Sequence, residues 1–556
     1  MPKRFTGLRD KEETMNTNDH ADLILKGASF FRGIHLDNEV DFIAIRNNKI
    51  LATGRENELD RYLGPDTAIR KYGKDQLIMP GFYDSHTHII SAGMADKYPD
   101  FGSCKTEEET ARAAKAYADT IPDEEWIFGF NWYHVYWGQE ELPTVKSLDK
   151  YIPDRPVMLT NAEGHGVWVN SRALEICGIT KDTPDPPFGE IGRFENGEPS
   201  GYLYEMAIGL IAKKAYTLDD EIEKGFIRDY MKRAATIGIV AANDMLPYYG
   251  NDMGKYRCFS DLDKSGEFTL RIHCAPNLFG NLDEVKRAAA IYDSEKFKVC
   301  LLKAFIDGVP TTYTSLMLEP FIDNPSTKGC TLSDPNLLKK KVEEAHSKGM
   351  SVRLHCCGDG AAQYALDCYE GAWDKYGDTG SRHAVEHFET TIQADIDRFA
   401  RMNVIASMQP EHLAMTNVFE ENPYLVRYND RQKKFSWPIK SLMDAGAVVA
   451  FGSDCPVVTN NPFVGIYRAV TRVHNDGKPE GGWNPEQKIS MPEALHAYTY
   501  NGYYGVHREH ELGTLEAGKL ADLVVLDQNL LDIPPGKIRD TNVILTVVDG
   551  RIVFER

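Results

Sequence analysis

Between residues 78 and 455 the chain repeats one alternation eight times: a short apolar run of strand type, followed in most cases by a longer segment of helical periodicity. The runs are IMPGFYDSH (78–86), IGIVAANDM (237–245), TLRIHCAP (269–276), CLLKAFIDG (300–308), SVRLHCC (351–357), HAVEHFE (383–389), NVIASMQP (403–410) and AVVAFGSDC (447–455). Strands alternating with helices are the signature of βαβ units. The helical stretches carry proper ends, as in NLLKKKVEEAHSKGM (336–350), which closes on Lys and Gly. Eight such units predict an α/β fold, a TIM-like (β/α)8 barrel. The stretch from about 100 to 235 is too long for one helix and reads as an insertion after the first strand.

The two ends of the chain share a different texture. ADLILKGASFF (21–31), DFIAIRNNKILATG (41–54) and DQLIMPGF (75–82) are short β-type runs broken by Gly, Asn and Asp, and ADLVVLDQ (521–528), ILTVVDG (544–550) and RIVFE (551–555) repeat that style. Neither end has enough strands for a core of its own. The expectation is one small β-sandwich built from residues 21–80 and 512–556, with a catalytic barrel over 81–511. Residues 1–20 have charge but no apolar stretch, so they read as a disordered leader rather than a signal peptide, with Met15 a candidate alternative start.

Composition removes whole classes of function. The chain has 83 acidic against 63 basic residues and a formal net charge of −20, which disfavours a phosphate-tracking surface and hence nucleic acid. The same balance disfavours a polybasic membrane anchor, and no apolar run approaches the roughly 18 residues of a membrane span. Ten scattered cysteines make no disulfide framework, so a cytoplasmic location is expected. No repeat, cysteine-rich cluster motif or dinucleotide fingerprint is present.

The chemistry gathers at the strand ends. The first run closes on Asp84-Ser85-His86-Thr87-His88, and in extended backbone His86 and His88 face the same way, a chelating pair for a metal such as zinc. The fourth run carries Lys303 and Asp307, the fifth His355, the sixth His387 and the eighth Asp454. Barrel enzymes build their sites at such C-terminal strand ends. Taken singly, each has a plainer reading: a chance HxH, a hydrogen-bonded core histidine, a snorkelling lysine, a capping aspartate. Four His, one Lys and one Asp in this order, all near strand ends, point instead to a metal site.

These residues sit in segments that resemble the amidohydrolase superfamily, and within it the YtcJ-like group, amidohydrolase family 3, which includes N-substituted formamide deformylases. The resemblance runs from about residue 21 to 556. It is carried by LIMPGFYDSHTHI (77–89), LPTVKSLDKYIPDRPVMLTNAEGHGVWVNSRALEICGI (142–179), LLKAFIDG (301–308), LHCCGDGAA (354–362), VEHFE (385–389), FGSDCPV (451–457) and LGTLEAGKLADLVVLD (512–527). It implies that His86, His88, His355, His387 and Asp454 are metal ligands. It also implies that Lys303 is carboxylated by CO2 (N6-carboxylysine) and bridges two divalent metals, Zn2+ by default, with Glu205 as a candidate substitute. Asp454 would then be the catalytic group that takes the proton of the attacking water and hands it to the leaving nitrogen.

The resemblance implies a metal-dependent hydrolase cutting a non-peptide, amide-like C–N bond of a small molecule. Ester or lactone hydrolysis and deamination are the chemical alternatives, and a non-catalytic scaffold the alternative of another class. His165, in a glycine-flanked loop, fits either substrate carbonyl polarisation or a loop hydrogen bond. The aromatic cluster Trp132, Tyr133, Tyr136 and Trp137 reads as packing or as an apolar substrate wall, and Trp132 and Asp307 join His165 as candidate substrate-binding residues. Asp359 reads as a loop-orienting residue. Cys356, Cys357 and Cys455 depart from the group's pattern. Alternation turns Cys356 away from the side His355 faces and Cys357 back towards it, as a candidate extra ligand or a buried inert thiol. A homodimer is the expected assembly.

Overall fold

The computed structural model describes residues 20–33, 39–121, 126–138, 142–246 and 253–556, and all but the last residue of the expected leader lie outside that set. Eight parallel strands form where the eight apolar runs stand: β1 (Phe82–Thr87), β2 (Ile239–Met245), β3 (Arg271–Ala275), β4 (Leu301–Phe305), β5 (Ser351–Cys356), β6 (Ala384–His387), β7 (Ile405–Met408) and β8 (Val449–Phe451). Nearly every residue in them is buried, which explains why they read as unbroken apolar runs rather than alternating ones. Parallel ladders join β1 to β2 and β2 to β3, and run from β4 through β8. Single parallel bridges, Asn277 to Lys303 and Thr87 to Cys455, connect the remaining neighbours, so the strand order returns to its start.

Helices pack outside this arrangement. Asp220–Thr236 leads into β2, and Pro335–Ser347, Asp359–Tyr376 and Gln393–Met402 each join two consecutive strands. Their starts are chemically marked, since the Asp219 and Asp334 side chains accept N–H groups of the first turn. Between β1 and Asp220 the chain builds a second sheet, in the order 189–193, 199–205, 166–169, 157–161, 127–132. This segment leans over the C-terminal ends of the parallel strands, and residues from it share a cavity wall with them.

The chain ends meet as well. Leu523–Leu526 pairs antiparallel with Leu77–Pro80 and with Val543–Val548, in a five-stranded sheet drawn from both termini. Leu23, Leu25, Ile43 and Ile45 from the neighbouring four-stranded sheet bury themselves with Ile78, Leu523, Val525, Leu545 and Val547 in one apolar cluster. Arg271, at the start of β3, is fully buried and ties the two regions together through a bidentate pair with Asp522 (2.6 and 3.0 Å).

Candidate metal centre

Asp454 lies at the middle of the site. Its Oδ1 is 3.1 Å from His88 Nε2 and 3.4 Å from His86 Nε2, while its Oδ2 is 3.6 Å from His412 Nε2 and 4.0 Å from His387 Nδ1. The backbone of the turn after β8 is brought against β1 by Gly452, where a Cβ would stand 2.4 Å from the His86 nitrogen. Ser453 and Asp454 N–H groups can therefore both reach the His86 carbonyl. His387 and Asp454 adopt φ of +73° and +61°, a conformation that costs about 1–3 kcal/mol in a non-glycine residue and is concentrated at functional sites.

Two of the imidazoles are each held through Nδ1 by a buried carboxylate. His86 Nδ1 is 2.7 Å from Glu386 Oε2, and His355 Nδ1 is 3.2 Å from Asp307 Oδ1. His86 Nε2, His387 Nδ1 and His412 Nε2 are buried without a hydrogen bond, as is the Lys303 ammonium nitrogen, which sits 5.1 Å over the Phe305 ring. Burial, with the Lys303 charge behind it, lowers His86 to about 4 and His355 well below the usual histidine range. Burial and the neighbouring imidazoles do the same to His387. Neutral rings present the lone pairs that a cation needs. Burial alone would raise the Asp454 carboxyl, but His86, His88 and His412 outweigh it and hold the group ionised. The donors of His86, His88 and Asp454 lie within 4.8 Å of one another, as do those of His387, His412 and Asp454 and those of His355, Cys357 and His387. Buried polar atoms are almost always paired, so this cluster of orphans fits a cation shared among them.

A cavity of about 130 Å3 opens over the cluster. His86, His88, Lys303, His355, His387 and Asp454 form its floor. Phe130, Met158, Val167, Ile208, Tyr216 and Leu246 form an apolar wall, and Asn161, Glu163 and His165 a polar one. His165 Nδ1 is 2.7 Å from Glu205 Oε2, and burial, which would depress the imidazole, is overridden by Glu205, raising it to about 9. A smaller cavity of about 30 Å3 continues past His355 and His387 to Cys357, Glu389, His412 and Tyr424.

Two sequence expectations are corrected here. Trp132 is fully buried against Trp137, Trp168 and Tyr202, with its indole N–H on the Leu159 carbonyl, and takes no part in the cavity wall. Tyr133 is also buried and donates to Glu163, while the Tyr136 side chain lies outside the described residues. Asp307 faces away from the cavity: its carboxylate accepts the N–H groups of Leu316, Cys357 and Gly358 and meets His355, so it holds the loop after β5 instead of a substrate. Glu205, the candidate replacement bridge, is engaged by His165 and Thr314. Asp359 accepts from Leu318 N–H and Arg431, in keeping with a loop-orienting part.

Three residues of the centre were not anticipated. His412 stacks on His387 with ring centroids 5.6 Å apart, from a short helix (Pro410–Ala414) just beyond β7. Glu386 and Glu389 flank His387 in VEHFE and hold His86 and His412. Reading every turn after a parallel strand for His and carboxylates, rather than the strand ends alone, would have found His412 and Glu389, while Glu386 lies within β6 itself.

A family model described as "Amidohydrolase family" matches residues 74–554. Among curated proteins, LONG AFTER FAR-RED 3 of Arabidopsis thaliana is 30% identical over 96% of this chain and 92% of its own length. YtcJ of Bacillus subtilis, named as an amidohydrolase, is 28% identical over 96% and 99%. The N-substituted formamide deformylase of Arthrobacter pascens is 27% identical over 92% and 95%. Of solved structures, an uncharacterized metal-dependent hydrolase from Pyrococcus horikoshii shares the fold with a TM-score of 0.75 at 23% identity, covering 92% of this chain and 99% of its own.

Proposed function

The chain belongs to the amidohydrolase family, and on that premise we propose that it is a metal-dependent hydrolase that cleaves an amide-like, non-peptide C–N bond of a small neutral molecule. The observation that carries this reading is the convergence of His86, His88, His355, His387 and Asp454, with orphaned ring nitrogens, on the floor of one cavity. We take these five residues as the metal ligands and two zinc ions as the complement. Bound there, the metal would lower the pKa of a water towards 7 and polarise the scissile carbonyl.

The chain's own groups would do the rest. Asp454, ionised and within 4 Å of four imidazoles, accepts the proton of the attacking water and passes it to the leaving nitrogen. Lys303, whose amine burial pushes towards the neutral form, would react with CO2 to give a carbamate and a proton, turning an amine into a carboxylate able to hold a metal. His165, oriented through Nδ1 by Glu205, directs its other nitrogen to the substrate carbonyl. Among the described residues no arginine lines the cavity, so a carboxylated substrate would find no bidentate partner. The apolar wall suits a hydrocarbon substituent, which agrees with the N-substituted formamides named for the Arthrobacter relative.

The cyclic strand order fits a (β/α)8 barrel over 81–511, and the terminal sheets a composite β-sandwich of 21–80 and 512–556. A cytoplasmic homodimer remains the working assembly. A panel of N-substituted amides and matched esters, assayed with metal content measured in the same sample, tests the function. Amide turnover that rises and falls with bound zinc is the expected result. Full turnover after exhaustive chelation would overturn the proposal, and ester cleavage without amide cleavage would replace its bond type.

A further inference from the structure

Cys357, on the chain just past β5, lines the smaller cavity beside His355 and His387, which line both, and its sulfur is 3.7 Å from His355 Nε2. His355, His387 and Cys357 offer donor atoms that all lie within 4.8 Å of one another, and all three side chains are buried. His387, only 3% exposed, keeps its Nδ1 without a hydrogen bond, so the trio includes a buried imidazole with an unpaired ring nitrogen. We propose that Cys357 is itself a metal ligand, completing with His355 and His387 a mixed nitrogen–sulfur position for one of the divalent cations. The proposal rests on the metal-dependent reading above and adds to it a ligand that the implied set of histidines, lysine and aspartate does not contain.

The spacing suits the assignment. A tetrahedral zinc with bonds of about 2.3 Å to sulfur and about 2.0–2.1 Å to nitrogen sets those two atoms about 3.6 Å apart. The observed 3.7 Å matches that value before any ion draws the donors together. The position is also rigid. Asp307 Oδ1 meets both His355 Nδ1 and the Cys357 N–H, and Oδ2 takes the Gly358 N–H, so one buried carboxylate fixes the imidazole and the thiol against each other. That is the part a second layer of hydrogen bonds plays around a metal ligand. The adjacent thiols do not compete, for Cys356 is directed to the Leu354 carbonyl and Cys455 accepts from Arg233. On binding, the S–H bond breaks as the sulfur–metal bond forms, and the proton passes to solvent. A soft sulfur donor also biases the position towards zinc or cobalt over magnesium or manganese.

Cobalt and zinc themselves are the probes. Cobalt-loaded protein should show a near-ultraviolet sulfur-to-cobalt charge-transfer band, kept in Cys356→Ser and lost in Cys357→Ser that still binds cobalt with an unchanged circular dichroism spectrum. X-ray absorption at the zinc edge of the unaltered protein should contain a sulfur scatterer at about 2.3 Å. A shell of nitrogen and oxygen alone, or a band that survives Cys357→Ser, overturns the proposal. If Cys357→Ser does not fold, the zinc-edge shell of the unaltered protein and of Cys356→Ser decides in its place. The readouts are independent of turnover: a sulfur ligand in a protein that cleaves no amide sustains this inference and ends the proposed function, and zinc-dependent cleavage with a sulfur-free shell does the reverse.

Discussion

The same eight strands end in two opposite chemistries. At their N-terminal ends, two buried side chains find several partners each: Arg271 is bidentate to Asp522 and also bonds Asp549 and the Glu295 carbonyl, and His383 joins His346 (2.9 Å) and the Val352 N–H. At their C-terminal ends, His86, His387, His412 and Lys303 each bury an atom with no hydrogen bond, beside residues in left-handed backbone. An unsatisfied buried group costs about 1–3 kcal/mol, so the second end is held in a state that the first end and the shared core must stabilise. The contrast separates residues that serve stability from residues poised for a ligand.

The largest effect expected from breaking this division is at the C-terminal end. The double substitution His86→Ala with His88→Ala should strip the metal and lower kcat/KM to about a thousandth or less, read by metal analysis and steady-state kinetics on the same sample. Circular dichroism should stay native, because both side chains belong to the cavity floor. At the opposite end, Arg271→Ala should leave Asp522 buried without its partner and cost about 3–5 kcal/mol in chemical denaturation. Metal content of the folded fraction should not change, and a loss of metal there would erase the distinction between the two ends.

A smaller effect sharpens the comparison within the site. Glu386→Gln keeps the shape but removes the carboxylate that meets His86 Nδ1, and should weaken metal affinity roughly 10–100-fold by competition with a chelator. The smallest effect at neutral pH belongs to His383, whose imidazole burial, with the His346 and Arg353 charges, depresses to about 3. Its folded value lies below the unfolded value of 6.5, so the unfolded chain binds the proton first as pH falls. The stability it contributes is whole above about 6.5 and is lost as pH drops towards 3. His383→Asn should flatten that acid limb of the denaturation midpoint without altering the midpoint's response to metal.

Much of this arrangement was legible in the chain. The strands stood out because a parallel strand is buried on both faces, which leaves a near-continuous apolar run such as LLKAF. His86 and His88 could be paired because extended backbone alternates with period two, and the structure does direct both to Asp454. The same alternation placed Cys357 on the side of His355. It failed at β6, where the positive φ of His387 lets Glu386 reach His86 although its neighbour also faces the centre.

Trp132 misled because an aromatic residue in an insertion looks the same whether it lines a cavity or packs a second sheet. Asp307 misled because a carboxylate near a strand end can face substrate or its own loop, and three N–H groups from distant residues chose the loop. Local periodicity and composition thus specified the eight strands, the joined ends and the residue types available for metal chemistry. Which atom of each residue stays free was decided only by folding, since a hydrogen-bond partner 48 or 300 residues away, as for His355 and His86, leaves no local pattern in the chain.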